Sequence, residues 1–227
     1  MSTGAVPRSN AAVTDRNEEL IRRYSLAERA NHWLGALAYT YLLITGLAFW
    51  SPYLYWLAAV VGGGPTARFW HPWLGLVFSV SFLWTSKEWL RDMQIDSSDR
   101  AWSKAIGNYI RNEDAKLPPV GRFNYGQKLF FWGIFYSVIL LLLSGIALWY
   151  TESLPWNLRI LRYAAILIHA SVALISIGLV LIHVYMSAIL EKGSLGSMIH
   201  GYVTSAWAWT FHRTWYYEVT GRSRPKQ

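Results

Sequence analysis

The longest uncharged stretch of the chain, residues 163–190, limits the possible folds more than any other feature. It contains 28 residues without Asp, Glu, Lys or Arg, and only His169 and His183 interrupt its apolar character. About 20 apolar residues are enough for a helix to cross a bilayer. The two histidines are 14 residues apart. On a helix they therefore lie close to one face and about 21 Å apart along the axis, so that one membrane helix carries an imidazole near each membrane surface.

The composition of the whole chain is also that of a membrane protein. Of its 227 residues, 53% are hydrophobic and 15% are charged, whereas soluble domains average about 25% charged residues. The absence of cysteine excludes a thiolate-bound iron–sulfur cluster, a covalently attached c-type haem and a disulfide within this chain. Residues 1–23 are polar, without the hydrophobic core of a cleaved signal peptide, so we expect the first span to act as an uncleaved insertion signal.

Four segments predict membrane helices, at about 30–50, 67–89, 126–150 and 163–190. Ser25 and Glu28 have the spacing of a capping box, so the first helix is expected to begin near Leu26. Apolar residues at helical spacing predict a short interfacial helix at 102–111, and the aromatic stretch 202–217 predicts another. The predicted fold is an all-α, integral-membrane four-helix bundle at 24–219. It is flanked by a polar N-terminal tail (1–23) and a basic C-terminal tail (220–227), both expected to be flexible.

The distribution of basic residues predicts the orientation in the membrane. Of the 21 Lys and Arg residues, 18 fall before the first span, between the second and third spans, or after the fourth. The positive-inside rule therefore places both termini and the central loop in the cytoplasm. Because the positive charge follows the topology, the net charge of +8 does not indicate nucleic-acid binding.

This topology assigns a depth to each histidine of the four spans. His32 and His183 fall near the cytoplasmic surface, and His71 and His169 fall near the outer surface. Two facing imidazoles supply both axial ligands of a b-type haem, which leaves no open position on the iron and favours electron transfer. The sequence therefore predicts two haems b stacked across the membrane, with these four histidines as the iron ligands.

Three other interpretations of the histidines compete with haem binding. Four unrelated structural histidines would have to match in depth by chance, and each is costly in lipid. A proton channel is a second alternative, although such relays usually recruit carboxylates that the span interiors here lack. Zinc is a third, but two ligands per level fall short of the usual three or four. His200 and His212, in the tail, are expected to be surface residues and are only weakly indicated as proton carriers.

Several short motifs resemble the cytochrome b (gamma) subunit of membrane-bound respiratory formate dehydrogenase, within a broader dihaem cytochrome b group that also serves hydrogenases. The resemblance covers about residues 24–219. Its motifs are R-x-x-H-W at 29–33, T-G-L at 45–47, A-R followed by a histidine and a glycine at 67–75, G-R-F-N-Y-G-Q-K at 121–128 and G-Y-V-T-S-A-W at 201–207.

The resemblance implies a complex in the bacterial cytoplasmic (inner) membrane. A molybdenum- or tungsten-pterin catalytic (alpha) subunit oxidises formate outside that membrane, so this chain alone oxidises no formate and holds no catalytic residue. An iron–sulfur (beta) subunit passes electrons to the outer haem, from which they reach the inner haem and then a quinone, menaquinone or ubiquinone, near the cytoplasmic face. The partners are thus these two subunits, quinone and membrane lipid, and no nucleic acid.

The resemblance further implies a quinone site at Asn124, Gly126 and Gln127, beside the inner ligand His183. Asn and Gln side chains hydrogen-bond carbonyls, and glycine allows a ring to approach the backbone. The alternative is that Asn124 simply caps the third membrane helix, because asparagine is among the best capping residues.

Three basic residues are candidates for neutralising haem propionates. Arg29 and Lys128 belong to the inner level and Arg68 to the outer, and each could instead be an interfacial side chain that snorkels to the surface. Two further functions stay open. One is the cytochrome b subunit of a periplasmic hydrogenase or of a thiosulfate or polysulfide reductase, and the other is a haem-free membrane anchor.

Overall fold

The computed structural model of the chain describes residues 19–111, 113 and 116–222. These residues form two compact units. The first, here called the bundle, consists of Leu26–Gln94 and Lys128–Met186. The second, here called the terminal unit, consists of the described residues up to Ser25, of those within Ile95–Gln127, and of those from Ser187 onward. Most of the two predicted flexible tails lies outside the described residues.

The bundle is built from long helices. They are α1 (Leu26–Trp50), α3 (Gly64–Trp89), the part of α6 (Tyr125–Trp149) from Lys128 onward, and α7 (Arg159–Tyr185), with the short α2 (Leu57–Val60) between α1 and α3. A π-helical turn (Met186–Leu190) continues α7. The start of α1 at Leu26 is the one that the sequence predicted.

Among the described residues, three helical segments are long and apolar enough to cross a membrane: Leu26–Trp50, Tyr125–Trp149 and Trp156–Leu190. The second predicted span, at about 67–89, corresponds to α3, which is 26 residues long but is made less apolar by Arg68, Lys87 and Glu88. It begins at Gly64, earlier than the predicted 67, and Pro72 lies inside the helix. Proline lacks the backbone N–H that would bond the carbonyl of Arg68 one turn earlier.

Polar contacts hold α1 against α3 along much of their length. The amide of Asn31 donates to the carbonyl of Ser81 and to the hydroxyl of Thr85, both at 2.9 Å. Near the same ends, the indole N–H of Trp89 donates to the Glu28 carboxylate at 2.9 Å. One turn further along α1 from Asn31, Gly35 has no side chain to obstruct Ser81, whose Oγ lies 3.0 Å from the position that a Cβ would take. This glycine therefore serves helix packing.

The terminal unit contains shorter elements and its own core. They are β1 (Leu20–Arg22), α4 (Ser97–Lys104), α5 (Ile106–Ile110), α8 (Ser194–His200), β2 (Tyr202–Thr204), α9 (Ser205–Phe211) and α10 (Arg213–Thr220). Strands β1 and β2 are antiparallel, with Ile21 opposite Val203. Gly201, at a φ of +91°, ends α8 and turns the chain into β2, a conformation that glycine adopts without steric cost.

Three details of the terminal unit differ from the prediction. The all-α prediction missed the β1–β2 pair, and the end of the tail predicted to be flexible is ordered in β1. Three-residue strands are too short for a periodic signal, and these two pair across most of the chain. The aromatic stretch is not one interfacial helix, because Trp207, Trp215 and Tyr216 are buried in a core with Val203. The predicted helix at 102–111 divides at Ala105 into α4 and α5.

Candidate functional site

The bundle brings its four histidines together in two pairs. The ring centres of His71 on α3 and His169 on α7 lie 6.3 Å apart, with the ring planes inclined by 58°. Those of His32 on α1 and His183 on α7 lie 6.4 Å apart, inclined by 55°. These are the two pairs that the helix directions predicted, here called the outer pair and the inner pair. Their members on α7 are 14 residues apart, which separates the two levels by about 21 Å along the helix.

The spacing within each pair suits one metal atom between two imidazoles. A histidine nitrogen binds a first-row metal at about 2 Å and lies about 1.1 Å from its ring centre, so two rings that share a metal have centres about 6.2 Å apart. All four histidines are half-buried. Each pair could therefore supply the two axial ligands that a b-type haem requires.

A hydroxyl residue followed by glycine flanks each histidine of the outer pair. On α1, Thr45 Oγ1 lies 2.6 Å from His71 Nδ1, and a Cβ on Gly46 would lie 3.8 Å from the same ring. On α6, Ser144 Oγ lies 2.9 Å from His169 Nδ1, and a Cβ on Gly145 would lie 3.2 Å from that ring. The hydroxyl orients the imidazole and the glycine leaves room beside it.

These roles were not predicted from the sequence. The T-G-L motif at 45–47 entered the prediction only as part of a resemblance, and no role was predicted for Ser144 or Gly145. The usable signal is a Ser/Thr-Gly dipeptide inside an apolar span, which occurs on two of the helices that face the outer histidines.

The inner pair is positioned differently. The ring of Phe130 on α6 stacks on that of His183 at 4.4 Å between centres, with only 9° between their planes. His32 Nδ1 is buried and has no hydrogen-bond partner among the described residues. At the inner level, aromatic packing orients an imidazole, whereas hydroxyl groups do so at the outer level.

An aromatic layer separates the two levels. Tyr39, Phe78 and Ser176 each lie seven residues along their helices from a histidine of the pairs, which is about half the distance between the levels. The Tyr39 hydroxyl lies 2.9 Å from Ser176 Oγ, and its ring centre lies 5.3 Å from that of Phe78. The layer joins α1, α3 and α7 at mid-height.

The basic residues suggested for propionates have different surroundings within the bundle. Arg68 lines a cavity of about 580 Å³ together with Phe49 and Tyr55, and the Phe49 ring lies 5.5 Å from that of His71. Lys128 is buried and donates to the carbonyl of Gln94 at 2.9 Å, so it is not a snorkelling surface residue. Arg29 is half-buried in the first turn of α1, three residues before His32.

The residues suggested for quinone have a structural role in the terminal unit. The Asn124 side chain accepts from the backbone N–H of Gln127 at 2.9 Å, and the Gln127 side chain accepts from that of Asn124 at 3.0 Å. This reciprocal arrangement caps α6. Because it uses the amide oxygens, a quinone carbonyl would have to accept from the amide NH₂ groups. Gly126 leaves room for the ring of Trp102, which lies 3.5 Å from the position of a Cβ.

His212, expected at the surface, is fully buried in the terminal unit, and that expectation was wrong. Its Nδ1 lies 2.9 Å from the carbonyl oxygen of Gly121, and its Nε2 lies 4.0 Å from the Glu191 carboxylate, which is too long for a hydrogen bond. Burial, together with the positive charge of Arg23, holds the pKa of His212 well below its usual 6.5. Burial also lowers the pKa of the Arg23 guanidinium. The packing of the aromatic tail buries this histidine, and no sequence pattern indicates that burial.

Comparison with known proteins gives a family and several curated relatives. The model of the family described as prokaryotic cytochrome b561 matches residues 23–201. The chain is 33% identical over 212 residues to the "Formate dehydrogenase, cytochrome b556(fdo) subunit" of Escherichia coli K12, an alignment that covers 93% of this chain and 99% of the relative. It is 31% identical to the nitrate-inducible cytochrome b556(Fdn) subunit of the same organism, with 92% and 96% covered. The cytochrome b556 subunit of Haemophilus influenzae formate dehydrogenase is 30% identical, with 89% and 84% covered.

Proposed function

Because the chain belongs to the prokaryotic cytochrome b561 family, we propose that it is the membrane cytochrome b subunit of a formate dehydrogenase complex. In that complex it carries electrons from the iron–sulfur subunit to quinone. The three relatives described above are named as cytochrome b556 subunits of formate dehydrogenases. These names support this complex over that of a hydrogenase or of a thiosulfate or polysulfide reductase. Formate oxidation belongs to a separate catalytic subunit.

The observation that carries the proposal is the pair of histidine pairs. His71 with His169, and His32 with His183, hold their imidazoles at a spacing that suits one iron each. The two imidazoles of each pair would hold a haem b, which would supply a one-electron redox centre. A haem-free anchor needs none of these four polar side chains inside apolar helices, where each is costly.

The bundle contributes orientation and the exclusion of water. Thr45 and Ser144 orient the outer imidazoles, and Phe130 packs flat on an inner one. The layer of Tyr39 and Phe78 fills the space between the levels with aromatic side chains, which keeps bulk water away from the interior. Arg68 at the outer level and Arg29 and Lys128 at the inner level offer positive charge for the propionates of the bound groups.

Four membrane helices, α1, α3, α6 and α7, are part of the proposal, with residues 24–219 as the membrane domain and both termini in the cytoplasm. The length of α3 and its pairing with α1 support its being a span, although it is less apolar than the others. The excess of Lys and Arg at the termini and in the central loop supports the orientation and an inner-membrane location.

The proposed quinone contacts are Asn124, Gly126 and Gln127, through the amide NH₂ groups of the first and last. Protons for quinone reduction would come from the cytoplasm, the side that the basic loop indicates. The proposal covers menaquinone and ubiquinone alike.

The decisive experiment is haem quantification and a dithionite-reduced minus oxidised spectrum on the detergent-purified chain. We expect two b haems per chain, one of which is lost in His71→Ala and the other in His32→Ala. His200→Ala is the matched control, because this exposed histidine belongs to neither pair. A chain that contains no haem, although the cells had an adequate haem supply, would refute the proposal. If two haems are found, formate-dependent reduction of quinone by the purified complex would identify the electron donor.

A further inference from the structure

The hydrogen bond between Thr45 and His71 has a definite direction. The Thr45 hydroxyl has one proton and lies 2.8 Å from the carbonyl of Tyr41 in the preceding turn of its own helix. A backbone carbonyl can only accept, so that proton is donated to Tyr41. The 2.6 Å contact with His71 is then one in which His71 Nδ1–H donates to the threonine oxygen. His71 is thereby held with its proton on Nδ1 and a lone pair on Nε2.

His169 is held in the same way. Ser144 Oγ lies 2.6 Å from the carbonyl of Leu140, to which it donates, and 2.9 Å from His169 Nδ1, from which it accepts. Both hydroxyl residues are buried, Thr45 completely and Ser144 with 6% exposure. Water has little access to either hydrogen bond. Each outer imidazole therefore keeps an unprotonated Nε2 that can bind a metal.

The inner level lacks this arrangement on at least one side. His32 Nδ1 is buried without a hydrogen-bond partner among the described residues, and no Ser/Thr-Gly dipeptide stands beside it. The two levels therefore differ in the groups that act on their axial ligands.

This difference has an electrochemical consequence. An imidazole that donates its second N–H is a more basic ligand, and a more basic ligand favours the ferric over the ferrous state. Hydrogen bonding around the axial ligand is one of the means by which a protein sets haem potential. A lower potential at the outer level favours the flow of electrons toward the inner level.

On the basis of the proposed function, we propose that Thr45 and Ser144 are positioning residues of the outer haem. Their hydroxyls hold His71 and His169 in the Nδ1–H tautomer and keep the midpoint potential of that haem lower than it would be without them.

The test is a potentiometric titration of the purified dihaem chain and of Thr45→Val and Ser144→Ala, with haem content measured alongside. One hydrogen bond is worth about tenfold in the equilibrium between ferric and ferrous haem, which is about 59 mV for one electron. We expect each variant to raise one of the two midpoints by this amount and to leave the other unchanged. The couple that persists in His71→Ala identifies the inner haem, so the shifted couple must be the other one.

Matched controls exist on the same helices. Thr40→Val on α1 and Ser137→Ala on α6 remove hydroxyls that bond only to a backbone carbonyl one turn earlier, and we expect wild-type potentials from both. If Thr45→Val loses the outer haem, Thr45→Ser, which keeps the hydroxyl, must retain that haem at the wild-type potential. The electron paramagnetic resonance signal of the ferric outer haem should change in Thr45→Val and return in Thr45→Ser.

The outcomes separate this proposal from the proposed function. A wild-type chain without two b haems refutes the function itself. Two haems with unchanged midpoints in both variants, or with both midpoints shifted alike, refute only the role of the two hydroxyls.

Discussion

The buried imidazole of His212 makes the terminal unit sensitive to acid. Its pKa in the folded chain lies well below 6.5, because the ring is fully buried and faces the positive charge of Arg23. Of the groups around it, the Gly121 carbonyl accepts from Nδ1 and the Glu191 carboxylate lies 4.0 Å from Nε2. Above pH 6.5 the ring is neutral in both the folded and the unfolded states. Below that pH the unfolded state binds a proton that the folded state refuses, so stability falls.

The magnitude follows from this linkage. Between pH 7.5 and 5.5, one histidine with an unfolded pKa of about 6.5 costs about 1.4 kcal/mol, which is a tenfold change in the opening equilibrium. The loss continues until the pH reaches the folded pKa. Exchange of backbone amide hydrogens in α9 and α10 measures that equilibrium directly, and mass spectrometry of the full-length chain in detergent, corrected for intrinsic exchange rates, resolves it.

The variant His212→Asn is the control. Its amide can still donate to the Gly121 carbonyl, but it cannot titrate, so the tenfold pH response of α9 and α10 should disappear even though overall stability is lower. Equal pH responses in the wild type and the variant would refute the argument. A wild type that is more stable at pH 5.5 would also refute it, because that result means that the folded state binds the proton beside Glu191.

Three further predictions concern other parts of the chain. Gly145→Val should displace the imidazole that lies 3.2 Å from its new Cβ and lower outer haem content, whereas Gly178→Val, with no atom within 4 Å, should not; equal haem content in both would contradict this. Tyr109→Phe breaks a buried 2.6 Å bond to a carboxylate and should lower the free energy of opening of the terminal unit, measured by amide exchange, by about 1–3 kcal/mol. Tyr53→Phe, at a side chain that is 91% exposed, should leave that free energy unchanged. Asn124→Asp keeps a good helix cap but removes the NH₂ donor, so helix exchange should stay the same while binding of a quinone analogue, measured by fluorescence quenching, weakens; unchanged binding would leave Asn124 with the capping role alone.

The helices and the histidine pairs were accessible from the sequence for a physical reason. A helix of membrane length can be predicted from its own apolar residues, without information on its neighbours, since each helix satisfies its own backbone hydrogen bonds. Once the charges of the loops predict the direction of each helix, helix rise alone assigns a predicted depth to His32, His71, His169 and His183. The two pairs then follow by arithmetic.

The surroundings of those histidines depended on the fold. Thr45 and Ser144 look like any other hydroxyl that bonds its own helix, and only the rotation of α1 and α6 about their axes decides that they face an imidazole. The same holds for Phe130, because an aromatic residue in an apolar span carries no sign of the ring on which it stacks.

The contacts within the terminal unit were the least predictable from the sequence. Its core joins β1, β2, α9 and α10, and its sheet pairs Leu20 with Thr204 across most of the chain. Composition suggested a surface histidine at 212 and aromatic side chains facing lipid, but the tertiary structure buries them together. The sequence by itself determined where the long helices lie and which histidines share a level of the bundle, because these depend on local hydrophobicity and helix rise. Only the tertiary structure decided which side chains meet, because contacts between distant segments depend on how whole helices turn toward one another.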